Sequence, residues 1–342
     1  MTATGATKED LQPEGAGGRL GVLLVNLGTP AAPTAPAVRR YLAQFLSDRR
    51  VVDYPRLLWL PVLYGIILNT RPAKTARNYA KIWRAESNES PLRYYTRRQA
   101  ETLSAAHGRD MLVDWAMRYG EPSVAERLEA LARAGAKRIL VLPLYPQYSV
   151  TTTGSVEDAV AAALPGLPQD VKVRAAPAFY ADPHYIAALA AQARKAIAAL
   201  GWTPERVVIS FHGLPERLVA AGDPYAAHCE GTAARLRAAM AWCEAFAPIA
   251  YQSRFGPEKW LGPSTEETLK RLAGDGVKRV CVITPGFFAD CIETLEEIAI
   301  AGRETFLAEG GEKFAALPCL NDAPEATSLL ASLVKRSAGD WL

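Results

Sequence analysis

The sequence predicts an α/β protein made of two Rossmann-like, doubly wound domains, each with a parallel sheet. Short apolar runs alternate with helical-period segments of ten residues or more, the pattern of a parallel sheet wrapped by helices. This alternation runs twice in series, with a break expected near Ala176. A length of 342 residues and an apolar content of 49% are enough for two domains of ordinary size with substantial cores.

Residues 1–19 contain almost no large apolar side chain and no signal-peptide-like run, so they are expected to form a disordered tail. Residues 21–26 (GVLLVN) then form a buried strand that ends in the turn Leu-Gly-Thr-Pro. Helical spacing follows over 35–46, over 71–83 with Arg71, Lys74, Arg77 and Lys81, and over 95–106. A strand at 111–117 delivers Arg118-Tyr119-Gly120 to its end. A helix over 123–134, a strand over 137–143, a helix over 155–163 and a strand near 171–174 complete a first domain, 20–176. The loop Leu-Tyr-Pro-Gln-Tyr-Ser-Val-Thr-Thr-Thr-Gly, which follows the strand at 137–143, has too many hydroxyls to be core.

The second domain, 177–322, repeats the scheme. Helices are expected over 185–200, 224–242, 265–272 and 293–307, and strands over 207–211, 249–252, 279–284 and near 314–317. The final segment, 323–342, carries a helix over 324–334 that starts on Pro324, where proline's missing N–H costs nothing. This helix is placed to pack back on the first domain.

A formal net charge of +3 from 39 basic and 36 acidic residues gives no reason to expect a nucleic-acid surface. The five cysteines are scattered without a Cys-x-x-Cys pair, which argues against a disulfide framework or a local zinc or iron–sulfur loop and points to a reducing cytoplasm. The longest apolar run, 57–68 (LLWLPVLYGIIL), is too short to span a bilayer, which needs about 20 residues.

Three stretches could carry chemistry. Val-Val-Ile-Ser-Phe-His-Gly-Leu-Pro at 207–215 puts His212 where a strand gives way to a turn, and such strand ends face the binding crevice of an α/β protein. By itself this also describes a histidine satisfied within a turn. Pro-Gly-Phe-Phe-Ala-Asp-Cys-Ile-Glu-Thr-Leu-Glu-Glu at 285–297 follows another strand, with Asp290 as a candidate helix cap and Glu293 and Glu297 on one helix face. Helix-dipole stabilisation explains such carboxylates equally well. If one of them faces His212 across a cleft, the pair can bind a divalent cation or exchange protons near neutral pH. The third stretch, 251–263 (YQSRFGPEKWLGP), is a shaped aromatic loop suited to a flat apolar ligand. Nucleotide-binding glycine motifs, Gly-x-Ser-x-Gly and His-Glu-x-x-His are all missing.

Taken together, Val-Asn-Leu-Gly-Thr-Pro, Ser-Pro-Leu at 90–92, Tyr-Pro-Gln-Tyr-Ser at 145–149, Phe-His-Gly-Leu-Pro, Gly-Asp-Pro-Tyr at 222–225, Trp-Leu-Gly-Pro at 260–263 and Ile-Glu-Thr-Leu-Glu-Glu resemble the ferrochelatases from about Gly21 onward. The resemblance implies a chelatase fold with a porphyrin cleft between the domains, and insertion of Fe²⁺ into protoporphyrin IX to form protohaem. It implies His212 and Glu293 as catalytic and metal-contacting residues and Glu297 as an acidic relay. It also implies Arg71, Tyr79, Arg118, Tyr119 and Trp260 as porphyrin contacts. Iron is then a substrate, no tightly bound cofactor is expected, and the chain's ending at Trp341-Leu342 suggests no C-terminal iron–sulfur cluster.

Three positions depart from the family pattern: Ala301 stands where relatives often have an acid, Phe288 replaces a small residue, and Cys291 occupies a position that is histidine in some relatives. The run 57–68 is expected either as a cleft lip touching a membrane surface or a porphyrin-delivering partner, or as a buried helix. A chelatase for cobalt or for coproporphyrin, and a non-catalytic tetrapyrrole carrier, are the rival readings.

Overall fold

The computed structural model describes residues 19–341, so all but the last residue of the expected tail lies outside the described residues. The first half runs β1 (Leu20–Gly28), α1 (Ala35–Leu46), α2 (Arg56–Val62), a π-helical turn (Leu63–Ile67), α3 (Leu68–Ile82), α4 (Pro91–His107), β2 (Met111–Tyr119), α5 (Val124–Arg133), β3 (Arg138–Pro143), α6 (Thr153–Ala163) and β4 (Lys172–Ala175). The second half runs α7 (Pro183–Ala198), β5 (Arg206–His212), α8 (Glu216–Ala220), α9 (Tyr225–Met240), β6 (Ile249–Gln252), α10 (Thr265–Gly274), β7 (Arg279–Ile283), a π-helix (Glu293–Gly302), α11 (Arg303–Ala308), β8 (Lys313–Ala316) and α12 (Pro324–Ala338).

Each half builds a four-stranded sheet, in the order β2-β1-β3-β4 and β6-β5-β7-β8, with every pairing parallel. The two orders are the same, so the repeated alternation in the sequence corresponds to a repeated topology. Parallel strands are buried on both faces, which explains their near-continuous apolar runs. Side chains alternate across each strand. Leu23 and Val25 of β1 pack with α5 and α6 on one face, whereas Leu20, Val22 and Leu24 point the other way. Val208, Val280 and Val282 likewise pack with α10 and α11. The remaining faces of both sheets meet in one common core, where Val22 and Leu140 share a cluster with Val207, Ile209 and Cys281, filled by α7, α9 and α12. From the C-terminal end of the chain, α12 packs on α4, α7 and β3.

The segment 57–68 is helical, but α2 has no buried residue. Leu57 and Leu58 are 90% and 70% exposed, with Val62, Tyr64 and Ile66 also outside, so the run is not a buried helix as a whole; only Leu63 and Leu68 of it turn inward. Two details differ from the sequence reading. The helix expected over 293–307 opens as a π-helix and becomes α-helical only at Arg303. Asp290 does not cap it. Its carboxylate instead accepts from Thr294 Oγ1 (2.9 Å) and Asn321 Nδ2 (2.6 Å), because the turn after β7 buries Asp290 against the 319–321 segment.

Candidate active site

His212 and the Arg118-Tyr119 pair stand at the carboxyl ends of strands and Glu293 follows β7, the end at which α/β folds place their ligands. Arg71 and Tyr79, by contrast, lie on α3 and Trp260 in a loop. His212 is the last residue of β5 and pairs in register with Gln252, the last of β6. Its Nδ1 lies 2.6 Å from the Gly213 carbonyl oxygen. A carbonyl only accepts, so Nδ1 carries a proton, and whenever the ring holds a single proton its lone pair lies on Nε2. Gly213 has to be glycine here. A Cβ would stand 2.8 Å from the Gln252 carbonyl oxygen and 3.2 Å from the Trp260 ring.

Glu293 opens the π-helix and Glu297 follows within it. Hydrogen bonds from i to i+5 widen the turn and keep side chains four apart on one face. The Ser253 N–H donates to Glu297 Oε1 at 2.7 Å, and the Ser253 hydroxyl donates to Oε2. To do both, Ser253 adopts a left-handed backbone (φ 64°), which is uncommon for a residue with a side chain. Gln252 Nε2 donates to the Glu293 carbonyl at 2.9 Å, while its Oε1 accepts from Ser210. The Gln252-Ser253 corner thus ties β5, β6 and the π-helix together. Burial pushes the Glu297 carboxyl above the usual range, and Glu293 adds to this. The Ser253 hydroxyl pulls it back most, with a smaller lowering from the neighbouring His212. His212, Glu293 and Glu297 are therefore close enough to feel one another.

The buried Tyr41 and Tyr79 and the partly buried Tyr145 lie near Glu293. Burial raises the pKa of Tyr41, Tyr79 and Tyr145, and the nearby Glu293 charge contributes in each case, so these phenols stay protonated. Tyr79 is 5% exposed and packs with Val38, Ala76 and Ile292, which joins α1 and α3 to the start of the π-helix. Cys291 beside Glu293 is buried and free, and burial pushes its thiol well above the usual value.

Arg118 and Tyr119 end β2 in a polar knot. Arg118 Nε donates to Ser155 Oγ (2.7 Å) and Nη2 to Asp48 Oδ2 (2.6 Å); the Tyr119 hydroxyl donates to the same Asp48 oxygen (2.7 Å). Burial opposes ionisation of Asp48, but hydrogen bonds from Ser155 and Tyr119 hold its pKa below the usual value. Gly28 makes room for this strand end: at φ 122°, a Cβ there would fall 1.8 Å from the Tyr119 carbonyl oxygen.

Arg71 and Trp260 sit further out. The Arg71 guanidinium lies over the Phe255 ring (5.4 Å to the centroid), and Trp260 Nε1 donates to the Phe255 carbonyl at 3.0 Å. The predicted residues therefore form three groups: His212, Glu293, Glu297 and Tyr79 in the centre, Arg118 and Tyr119 in the knot, and Arg71 and Trp260 at the rim.

Asp48, Ser155, Gln252, Ser253, Tyr41 and Tyr145 escaped sequence reasoning. Gln252 is the last residue of its strand and could have been found by the rule that singled out His212. Asp48, in Ser-Asp-Arg-Arg, carries no periodic signal.

A sequence model of the ferrochelatase family matches residues 19–338. The ferrochelatase of Rhizobium meliloti (strain 1021) is 52% identical over 327 residues, covering 95% of this chain and 96% of the relative. That of Rhizobium leguminosarum bv. trifolii (strain WSM2304) is 46% identical over the whole of both chains. Among solved structures, SirB from Bacillus subtilis with Fe³⁺ superposes with a TM-score of 0.57 at 13% identity, covering 94% of this chain and 96% of that one. CbiX, described as the terminal enzyme for biosynthesis of sirohaem in denitrifying bacteria, gives 0.51 at 17% identity over 93% and 99%. These structural likenesses establish the chelatase fold. The near-complete family match and the identity to full-length relatives go further, and by them this chain belongs to the ferrochelatase family.

Proposed function

We propose that this protein carries out its family's reaction, insertion of Fe²⁺ into protoporphyrin IX to form protohaem, with His212 and Glu293 handling the pyrrole protons and the metal on a distorted macrocycle. The observation that supports this most is the central group: an imidazole held at Nδ1 by the Gly213 carbonyl, with Nε2 left free, next to two acidic residues on one face of a π-helix. Iron is a substrate on this reading, and the enzyme works without a tightly bound cofactor or iron–sulfur cluster.

Metallation removes two pyrrole protons and brings Fe²⁺ to the ring from one face. A flat macrocycle points its lone pairs inward, so tilting the pyrroles lowers the barrier. Nε2 of His212 takes a pyrrole proton or contacts the metal, roles that exclude each other at any instant. Glu293 offers the first anionic oxygen to hydrated iron. Glu297, whose carboxyl is pushed upward, receives and passes on protons, and the relay ends there because Ala301 carries no acid. Arg71 and Trp260 hold the porphyrin at the rim. Tyr79, Arg118 and Tyr119 contact it from deeper, and with Tyr79 5% and Tyr119 1% exposed, those two contacts require the cleft to open.

Among the described residues no helix is long and apolar enough to cross a membrane. The uncovered side chains of 57–66 suit peripheral contact with a membrane surface by an enzyme working in the cytoplasm. An anaerobic assay with Fe²⁺ and either protoporphyrin IX or coproporphyrin, followed by porphyrin absorbance, tests the reading. His212→Ala is expected to lose insertion while keeping porphyrin binding, and Glu293→Gln to lose most of its turnover at nearly constant shape. Near-normal turnover by His212→Ala would overturn the assignment.

A further inference from the structure

An arginine outside the groups described above joins the two halves of the molecule. Arg217 lies in α8, just after the turn that follows His212. Its Nη1 and Nη2 donate to the two carboxylate oxygens of Asp53 at 2.5 and 2.6 Å, a fork-to-fork pair, and its Nε donates to Glu258 at 2.9 Å. The guanidinium also lies over the ring of Tyr54, 5.9 Å from its centroid.

These partners belong to different bodies. Asp53 and Tyr54 lead directly into the exposed apolar helix α2. Arg217 and Glu258 belong to a single folded unit around His212. The Leu261 N–H donates to the Leu214 carbonyl (2.9 Å), and the Glu216 N–H to that of Lys259 (2.9 Å), zipping the 213–216 turn to the aromatic loop. At the far end of the apolar helix, Arg71 stacks on Phe255 of that same loop. The segment between is thus fastened to the opposite half at both ends, while α2 itself buries no side chain.

We propose that Arg217, with Asp53 and Glu258, is a latch across the mouth of the cleft, and that porphyrin entry and haem release proceed through its opening. This rests on the porphyrin-cleft reading. The chemistry fits a contact that must break in each cycle. Arg217 and Asp53 are 41% and 46% exposed at their side chains, so the pair is geometrically specific yet weakened by solvent and salt. A deeply buried pair would hold shut, and a solitary lysine would not fix the geometry. Closing the latch removes water from the site, and its opening sets the pace of product release.

Stopped-flow fluorescence of protoporphyrin IX gives the association rate, and transfer of haem to excess apoglobin gives the dissociation rate. In the wild type both are expected to rise with KCl. Arg217→Ala and Asp53→Asn should be faster at low salt, by about 3- to 10-fold, with the salt dependence largely gone. The charge-swapped variant Asp53→Arg/Arg217→Asp, made with Glu258→Gln so that the new aspartate does not face a second carboxylate, should regain slow, salt-sensitive exchange, which separates a latch from general loosening of the fold. Wild-type rates in both single variants, or a swap as fast as the singles, would overturn the latch. Failure of the wild type to bind porphyrin in an equilibrium titration would instead overturn the reading beneath it.

Discussion

Glu297 is the side chain whose surroundings oppose its own charge most clearly. Burial raises its pKa above the usual carboxyl value, so across the interval between that value and its folded value the native state keeps a proton that the unfolded chain has released. Stability contributed by this group therefore falls as pH rises through the interval and levels off above it. Glu297→Gln should consequently be more stable than the wild type at pH 7, with the difference vanishing near pH 4 in paired denaturation curves. Its turnover should fall, since the relay has lost its proton acceptor. Equal stability at both pH values would show that Ser253 satisfies the carboxylate fully. His212 and the two glutamates stood out in the sequence as candidates because strand ends and acidic spacing are local patterns, while their proposed roles came from the family motifs. Ser253 was not, because its role depends on a left-handed backbone that only the meeting of β6 and the π-helix imposes.

At the scale of elements, strands and long helices were legible to within a few residues because burial on both faces forces apolar runs, and amphipathic faces force helical spacing. The two segments read least well were the π-helix and the 57–68 run. An i to i+5 ladder leaves no mark in composition. A twelve-residue apolar stretch says nothing about whether its partner is core, lipid or another chain. Its exposure here leads to a direct test: wild-type protein should float with liposomes, and Leu57→Glu/Leu58→Glu should remain in the soluble fraction with insertion activity in detergent retained. Flotation of the double variant to the wild-type extent would exclude α2 as the contact.

For the whole molecule, the repeated topology was written in the repeated alternation, but the way the two sheets join was not. The strand faces that point inward from both sheets pack with α7, α9 and α12 into one cluster, in which Leu330 of α12 is fully buried. Leu330→Ala should destabilise the protein by about 2–5 kcal/mol, the usual range for such a truncation, while calorimetry still gives a single transition. Two separate transitions would mean that the sheets unfold independently.

That common core also limits how the molecule can move. With Val22 and Val207 cemented into the same cluster, the two sheets have no room to swing apart as rigid jaws about a linker. The freedom that substrate exchange demands is left to the thinly held rim, chiefly the apolar helix and the aromatic loop. Hydrogen exchange should then divide the chain in two: inner strands of both sheets releasing their amides together and late, and residues 53–67 and 254–260 releasing theirs early.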